Sequence, residues 1–185
     1  MKESDAGGPL ELRFRGEREY EDLLSALIRE RDVREYGAFL FALPDGSARL
    51  EVVDVEVLSG ADFSAQSMDY LELRADALQA MIVRAHRTET ALVEAHSHPF
   101  SEGPDVCFSR FDCRALSVAG PQISWRLPGR PYIALVFGRS SFDSLYWADR
   151  KRRPEGVVDI CVGSTALSAS GQSYTTWEDL SGPIR

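Results

Sequence analysis

The spacing of apolar positions predicts an alternation of strands and helices along this chain. An apolar residue at every second position is typical of a strand with one buried face, and apolar residues every third or fourth position are typical of a helix. The predicted helices are at about 17–31, at about 75–88 and from 109 onward. The predicted strands are at 10–14, 37–43, 50–57, 91–98, 132–137, 144–148 and 157–162. This order of elements indicates an α/β or α+β sandwich, in which helices cover a mainly antiparallel sheet.

The organisation of the chain is predicted to be that of a single domain. We find no internal repeat and no linker in residues 1–185, and the core is expected at about 9–163. The turn residues Pro44-Asp45-Gly46 separate two strands, so 37–58 is predicted to be a hairpin. The small and polar segment 59–69 is predicted to be a loop. From 164 the chain is a Ser/Thr-rich tail, with Trp177 as its one large apolar residue.

Composition and charge exclude several classes of protein. Hydrophobic residues at 44% and aromatic residues at 10% are typical of a soluble globular protein. No apolar run approaches the roughly 20 residues needed to cross a bilayer, and the N-terminus lacks the apolar region of a secretory signal. We therefore expect a cytoplasmic protein without a membrane partner. The net charge of −8 argues against a nucleic-acid partner, and the basic run 150–153 is interpreted as a solvated loop.

The cysteines indicate the redox state of the compartment and the type of metal ligand that the chain would use. Cys107, Cys113 and Cys161 show no CxxC spacing, and an odd number leaves one of them unpaired in any disulfide scheme. This pattern is typical of a reducing compartment. Structural zinc sites are usually rich in cysteine, so a metal in this chain would be held by histidine and carboxylate side chains.

Two of the three histidines stand two residues apart, as His96-Ser97-His98, at the end of a predicted strand. Side chains two apart on a strand point to the same face, so both imidazoles can reach one ion. A catalytic zinc commonly takes three protein ligands and keeps a fourth position for water. Asp112 supplies the third ligand if the loop 99–108 folds back towards the strand. Metal binding competes here with the interpretation that these are ordinary strand histidines.

Other residues near this motif leave alternatives open. Ser109 and Asp112 have the spacing of a helix capping pair, which is compatible with a ligand role for Asp112. Asp105 is an alternative third ligand. Glu94 shares a strand face with the two histidines, where it would be a ligand, would hold an imidazole in place or would face solvent. His86, alone on a predicted helix, is expected at the surface.

The motif HSHP followed by S-x-x-D resembles the JAMM motif of the MPN/JAB-domain metalloproteases. That motif also contains an upstream glutamate in the pattern E-x-x-small-x-L-x-small, and the segment 35–42, EYGAFLFA, matches it. The predicted elements follow in the same order as in this family, and the resemblance covers about 35–162. The loop 99–108 is longer than the family pattern.

The resemblance implies a fold, a metal and a set of residue roles. The fold would be an MPN/JAB-like sandwich, related to that of the cytidine deaminases, with one zinc ion on His96, His98 and Asp112. Glu35 would act as general base and then as general acid, taking a proton from the zinc-bound water and passing it to the leaving amine. Ser109 would donate a hydrogen bond to the developing oxyanion.

The same resemblance implies an activity. Members of the family cleave isopeptide or peptide bonds after the C-terminus of ubiquitin or of a ubiquitin-like protein. The short chain is similar to compact bacterial members, which often accompany E1- and E2-like conjugation enzymes, including those of antiphage defence operons. Two alternatives stay open: C-terminal trimming of a sulfur-carrier protein, and a non-catalytic MPN scaffold.

Two segments are candidates for gripping the folded body of such a substrate. One is the segment 59–69, and the other is the segment 120–130. In the second, Trp125 is flanked by Arg126 and Arg130, which is the composition of a binding hot spot. A packed loop aromatic is the alternative interpretation of Trp125.

Overall fold

An eight-stranded sheet organises the chain, seen in a computed structural model that describes residues 10–45, 48–148 and 150–182. The strands are Leu10–Phe14 (β1), Gly37–Pro44 (β2), Arg49–Val57 (β3), Phe63–Gln66 (β4), Leu71–Leu73 (β5), Ala91–Ser97 (β6), Tyr132–Phe137 (β7), Phe142–Trp147 (β8), Val158–Val162 (β9) and Thr165–Leu167 (β10). The helices are Glu17–Leu27 (α1), Ala75–Thr88 (α2), Arg110–Arg126 (α3), Gln172–Thr175 (α4) and Trp177–Ser181 (α5), with a 3-10 turn at Gly60–Asp62.

The sheet is mixed, with the strand order β10-β9-β1-β3-β2-β6-β7-β8. Within the described ranges, the pairs β9–β1, β1–β3 and β6–β7 are parallel, and the other four pairs are antiparallel. The mixed helix and strand content agrees with the predicted α+β class, but a mainly antiparallel sheet is not confirmed. Parallel pairing arises because long connections carry helices across the sheet, as α3 does between β6 and β7.

The sheet curls so that its edge strand β8 approaches β9. Tyr146 forms an isolated antiparallel bridge with Gly156, just before β9. The Ser144 hydroxyl accepts a hydrogen bond from the Val158 amide at 2.7 Å and donates one to the Val158 carbonyl at 2.8 Å. The Ser144 side chain thus makes the hydrogen bonds between β8 and β9 that a backbone group would make in a regular sheet.

Helices cover both faces of the central strands, which is why these strands are continuous apolar runs rather than alternating ones. The helix α1 packs on one face through Leu23 and Leu27, and α2 and α3 pack on the other. Successive residues of β6 are divided between these faces. Val93 belongs to the core under α1, while His96 points to the side of α2 and α3.

Most predicted elements are confirmed, including the 37–58 hairpin, the helix at 75–88 and the helix start at 109. Helix α1 ends at Leu27 rather than near 31, because Ile28 is already extended. The predicted loop 59–69 contains a 3-10 turn and β4, which pairs with β5 in a small separate sheet. The strands β4 and β5 are short and show no clear alternation of apolar and polar residues, so the sequence pattern did not predict them.

The C-terminal part of the chain packs against the α3 side of the sheet. Residues 165–181 form β10, α4 and α5, and Trp177 is 2% exposed. Its ring meets that of Trp147 edge-on, with centroids 5.7 Å apart. The Ser/Thr-rich segment therefore contributes to the packing of the domain. Among the described helices, none is both long enough and apolar enough to cross a membrane.

Candidate metal centre

The antiparallel pairing of β2 and β6 brings Glu35 next to His98. At the end of this pairing, the Ser97 amide donates to the Tyr36 carbonyl at 3.0 Å, and the Tyr36 amide donates to the Ser97 hydroxyl at 3.0 Å. One residue further along each chain segment, Glu35 Oε1 lies 3.5 Å from His98 Nε2. Residues that are far apart in sequence are adjacent because the register of these two strands aligns them.

Three side chains converge at the end of β6 and could hold a metal ion: His96, His98 and Asp112. The two Nε2 atoms are 3.3 Å apart, and Asp112 Oδ2 lies 3.3 Å from His98 Nε2 and 3.7 Å from His96 Nε2. Ligand atoms about 2.0–2.1 Å from a tetrahedral zinc ion are separated from one another by roughly 3.3–3.4 Å. Two of the three separations match this value and the third, 3.7 Å, is slightly longer, so the group has the spacing of a site that could hold a metal ion.

Asp112 is held in place by the capping box that starts α3. The Ser109 amide donates to Asp112 Oδ2 at 2.7 Å, and the Asp112 amide donates to the Ser109 hydroxyl at 3.2 Å. Burial acts to raise the pKa of Asp112, but His96, His98 and Ser109 together outweigh it and hold that pKa well below its usual range. The carboxylate that completes the capping box is thus also the candidate ligand, and it is held near the helix start in its ionised form.

The loop 99–108 folds back and returns the chain to the end of β6. The Ser101 amide donates to the His98 carbonyl at 2.9 Å, and Arg139 Nε donates to the Pro99 carbonyl at 2.8 Å. Serine hydroxyls from the turn between β7 and β8 donate to the carbonyls of Glu102 and Gly103. The loop therefore folds back towards β6, which is the arrangement that Asp112 requires in order to lie beside the two histidines.

The two imidazoles are packed by aromatic rings of the same loop. The His98 ring stacks on Phe100 with centroids 5.3 Å apart, and the His96 ring lies 5.6 Å from that of Phe108. Burial lowers the pKa of His98, which favours the neutral imidazole that binds metals. Burial also acts to lower the pKa of His96, but Asp112 outweighs it and the pKa is raised.

Glu35 is a buried carboxylate beside the three candidate ligands. The residue is 3% exposed. Its amide donates to the Ser67 carbonyl at 2.8 Å, and Gln66 Nε2 donates to its carbonyl at 2.8 Å. Burial raises the pKa of Glu35 to about 7, with His96 acting to lower it and Asp112 to raise it. The small sheet of β4 and β5 thus anchors the backbone of the residue that faces His98.

Two carboxylates that the sequence left as alternatives lie outside the candidate ligand group. Over the described part of the chain, the group that could hold a metal consists of His96, His98 and Asp112. Glu94 shares the face of His96, but its carboxylate accepts a hydrogen bond from the Tyr132 hydroxyl at 2.6 Å. Asp105 is exposed in the loop.

A cavity of about 360 Å³ adjoins the candidate metal centre. His96, Ser109 and Asp112 lie in its wall, together with residues of β5 and of α3. Most of the remaining wall is apolar and includes Phe39, Leu58, Phe63, Leu78 and Leu116. A cavity of this kind is suited to a side chain or a short extended segment of a ligand, with its polar backbone directed towards His96 and Asp112.

A buried polar network that the sequence did not reveal supports the start of α3. The Phe108 amide donates to the Ser173 hydroxyl at 2.8 Å. The Ser173 amide in turn donates to Asp143 Oδ2 at 2.9 Å, and the Gly171 amide donates to Asp143 Oδ1 at 3.0 Å. The one signal of this network in the sequence was Asp143, an aspartate within the apolar strand β8, because a buried carboxylate needs hydrogen-bond donors.

We expect Ser173→Ala to destabilise the protein by about 1–3 kcal/mol, because the buried Phe108 amide loses its acceptor. Urea unfolding of the variant and the wild type measures the change. Ser168→Ala is the matched control, since Ser168 lies in the same segment and is exposed. Equal stability of the two variants would contradict a supporting role for Ser173.

Comparison with protein families finds no family model that matches this chain, and comparison with curated proteins finds no significant match. Membership of the JAMM metalloproteases therefore stays a prediction. It rests on the sequence motif and on the geometry described above.

Proposed function

We propose that this chain is a zinc-dependent peptidase or isopeptidase of the JAMM type, with an MPN/JAB-like fold, which cleaves after the C-terminus of a ubiquitin-like protein. One observation carries the proposal. Three separate parts of the chain supply Glu35, the His96/His98 pair and Asp112; the two histidines and Asp112 lie within ligand distance of one another, and Glu35 lies 3.5 Å from His98. Separate core histidines and a surface glutamate would have no reason to meet in this way.

The donor set favours zinc as the metal. Two imidazole nitrogens and one carboxylate oxygen are a set found in catalytic zinc sites, which leave a position open for water or substrate. When bound, zinc supplies a Lewis acid that polarises the scissile carbonyl and lowers the pKa of a coordinated water towards neutrality. The carboxylate of Asp112 is already ordered by Ser109, so little side-chain entropy is lost when the site binds an ion.

Glu35 is the candidate general base and general acid. Its carboxylate is buried, faces His98 at 3.5 Å and is absent from the group of three ligands. From there it would accept the proton of the attacking water and deliver it to the nitrogen of the leaving amine. Positioned proton transfer of this kind contributes about 10²–10⁴-fold to a rate.

Ser109 is the candidate donor to the oxyanion. Its hydroxyl oxygen accepts the hydrogen bond of the Asp112 amide, which leaves the hydroxyl hydrogen for another acceptor. Ser109 lies in the wall of the cavity beside His96. The hydroxyl would therefore stabilise the charge that develops on the carbonyl oxygen during attack.

The surroundings of the site support a substrate with an extended tail. Among the described strands, β5 pairs with β4 alone, and the three residues of β5 line the cavity. A tail added as a strand along β5 would pass the candidate metal centre and gain main-chain hydrogen bonds. Cleavage after such a tail is the activity that the resemblance implies.

The test combines metal analysis with a cleavage assay on purified full-length protein. The probes are ubiquitin-like domains joined through their C-terminal glycine to a reporter, by a peptide bond or through a lysine side chain. We expect about one zinc per chain and cleavage at the C-terminal glycine, seen by intact mass, lost on chelation and restored by zinc. A zinc-loaded protein that cleaves none of these probes would contradict the proposed activity, and a protein that binds no zinc would favour a scaffold role.

A further inference from the structure

Helix α3 exposes a row of apolar side chains on the face that points away from the sheet. Phe111, Val118 and Trp125 are 63%, 58% and 56% exposed, and each is seven residues from the next. Ala115 and Gln122 lie between them and are exposed as well. We call these five residues the α3 seam. Their spacing of four and three residues keeps them on one side of the helix over about 21 Å.

The seam is not needed to hold α3 on the protein. The opposite side of the helix buries Cys113, Leu116 and Ile123 in the core against the sheet, and the residues of the seam lie outside that packing. Exposed apolar residues scattered singly need no explanation, but three large ones aligned on one side of a helix, interrupted only by Gln122, are typical of an interaction surface.

The seam begins at the mouth of the cavity beside the candidate metal centre. Phe111 lies in the cavity wall and meets the ring of Tyr70 edge-on, with centroids 6.5 Å apart. Tyr70 lines the same cavity and is 43% exposed. A protein whose tail occupies the cavity would therefore have its folded body next to Phe111 and the rest of the seam.

Basic side chains are concentrated at the Trp125 end of the seam, whereas acidic side chains lie in the cavity wall near Phe111. In α3, Asp112 is the one acidic residue, while Arg110, Arg114 and Arg126 are basic. Arg150 lies over the ring of Trp125, with its guanidinium carbon 5.2 Å from the ring centroid. Arg110 and Arg114 are turned towards the C-terminal segment, where they donate to the Asp179 and Gly182 carbonyls, so the charge argument applies to the Trp125 end. There, Arg126 and Arg150 favour a partner that places Asp or Glu side chains beside Trp125.

The same charges disfavour a second copy of this chain as the occupant. A two-fold pairing of α3 with itself, centred on Val118, would set Arg110 of one copy opposite Arg126 of the other. Like charges in such positions oppose association. Arg130, which the sequence grouped with Trp125, has another role, because its guanidinium donates to the Ala85 carbonyl at 2.9 Å.

We propose that the α3 seam is the docking surface for the folded body of the substrate protein, which presents an apolar patch to Val118 and Trp125 and Asp or Glu side chains to Arg126 and Arg150. Trp125, stacked under Arg150, is the anchor of this surface. The inference rests on the proposed function, since the substrate tail in the cavity is what brings a protein to this face.

The test compares a protein probe with a peptide probe that share the scissile bond. The probes are ubiquitin with a C-terminal 7-amido-4-methylcoumarin group and the peptide Arg-Leu-Arg-Gly-Gly with the same group. For Trp125→Ala and Val118→Ser we expect kcat/KM on the protein probe to fall about 10- to 30-fold, mainly through KM. On the peptide we expect less than about a twofold change, because the cavity and the metal ligands are untouched. Leu43→Ser is the control, as Leu43 is exposed at the far end of β2.

The possible results test the docking surface and the proposed activity separately. Equal losses on both probes, or no loss on either, would overturn the α3 seam as a docking surface while the activity stands. Wild-type protein that carries zinc but cleaves neither probe would overturn a ubiquitin-like occupant together with the activity on these probes. A wild-type dimer that Trp125→Ala converts to a monomer, measured by sedimentation, would assign the seam to a second copy.

Discussion

Glu35→Gln is expected to keep its zinc and to lose about 10²–10⁴-fold in kcat/KM for cleavage after a ubiquitin-like C-terminus. The substitution preserves the shape of the side chain and removes its ability to take up a proton. The three candidate ligands are unchanged, so metal content should remain at about one zinc per chain. Elemental analysis and steady-state kinetics on the same preparation measure both quantities.

Asp105→Asn is the matched control for this carboxylate-to-amide change. Asp105 is exposed and lies outside the candidate ligand group. It should keep both zinc and activity. Substantial activity in Glu35→Gln would remove the general-base assignment, and loss of zinc from it would make Glu35 a ligand instead.

His98→Ala is expected to lose both zinc and detectable cleavage. His98 Nε2 lies 3.3 Å from His96 Nε2 and 3.3 Å from Asp112 Oδ2, so it supplies one of the three candidate ligand atoms. A site reduced to one imidazole and one carboxylate should bind zinc orders of magnitude more weakly. Elemental analysis after dialysis against zinc-free buffer measures the loss.

Thermal unfolding gives an independent readout of the same variant. Zinc that binds the folded chain stabilises it by RT ln(1 + [Zn]/Kd), about 2.7 kcal/mol at a hundredfold excess over Kd. Added zinc should therefore raise the Tm of the wild type and leave that of His98→Ala unchanged. His86→Ala is the matched control, because His86 is an exposed histidine on α2. One zinc per chain in His98→Ala would contradict a metal-binding role for the HSHP motif, whose histidines would then be ordinary strand residues.

Local patterns in the sequence determined most of the elements and part of the site. Alternation and helical spacing are local properties, so β1, the hairpin of β2 and β3, and α2 followed from them directly. The S-x-x-D pattern located the start of α3 for the same reason, since a capping box is made within four residues. His96 and His98 could be paired from sequence because a strand places residues two apart on one face.

Elements with weak local patterns were missed or misjudged. The strands β4 and β5 are three or four residues long, and they exist because they pair with each other. The helix α3 continues through Gly120 and Pro121 to Arg126, whereas the sequence predicted only its start at 109 and one interpretation of Trp125 placed that residue in a loop. Packing of Gly120 against Trp147 holds this part of the helix. Trp125 is therefore a helix-surface residue rather than a loop aromatic.

The sequence by itself determined the types of the elements and the residue types available for a metal, because both depend on neighbours along the chain. The tertiary structure alone decided that the sheet is mixed, that the loop 99–108 folds back and that the tail packs on the domain. It also decided that Glu35 meets His98. That meeting depends on the register between β2 and β6, and a shift by one residue would turn every side chain to the opposite face. Register is set by packing across the whole sheet, which no local pattern contains.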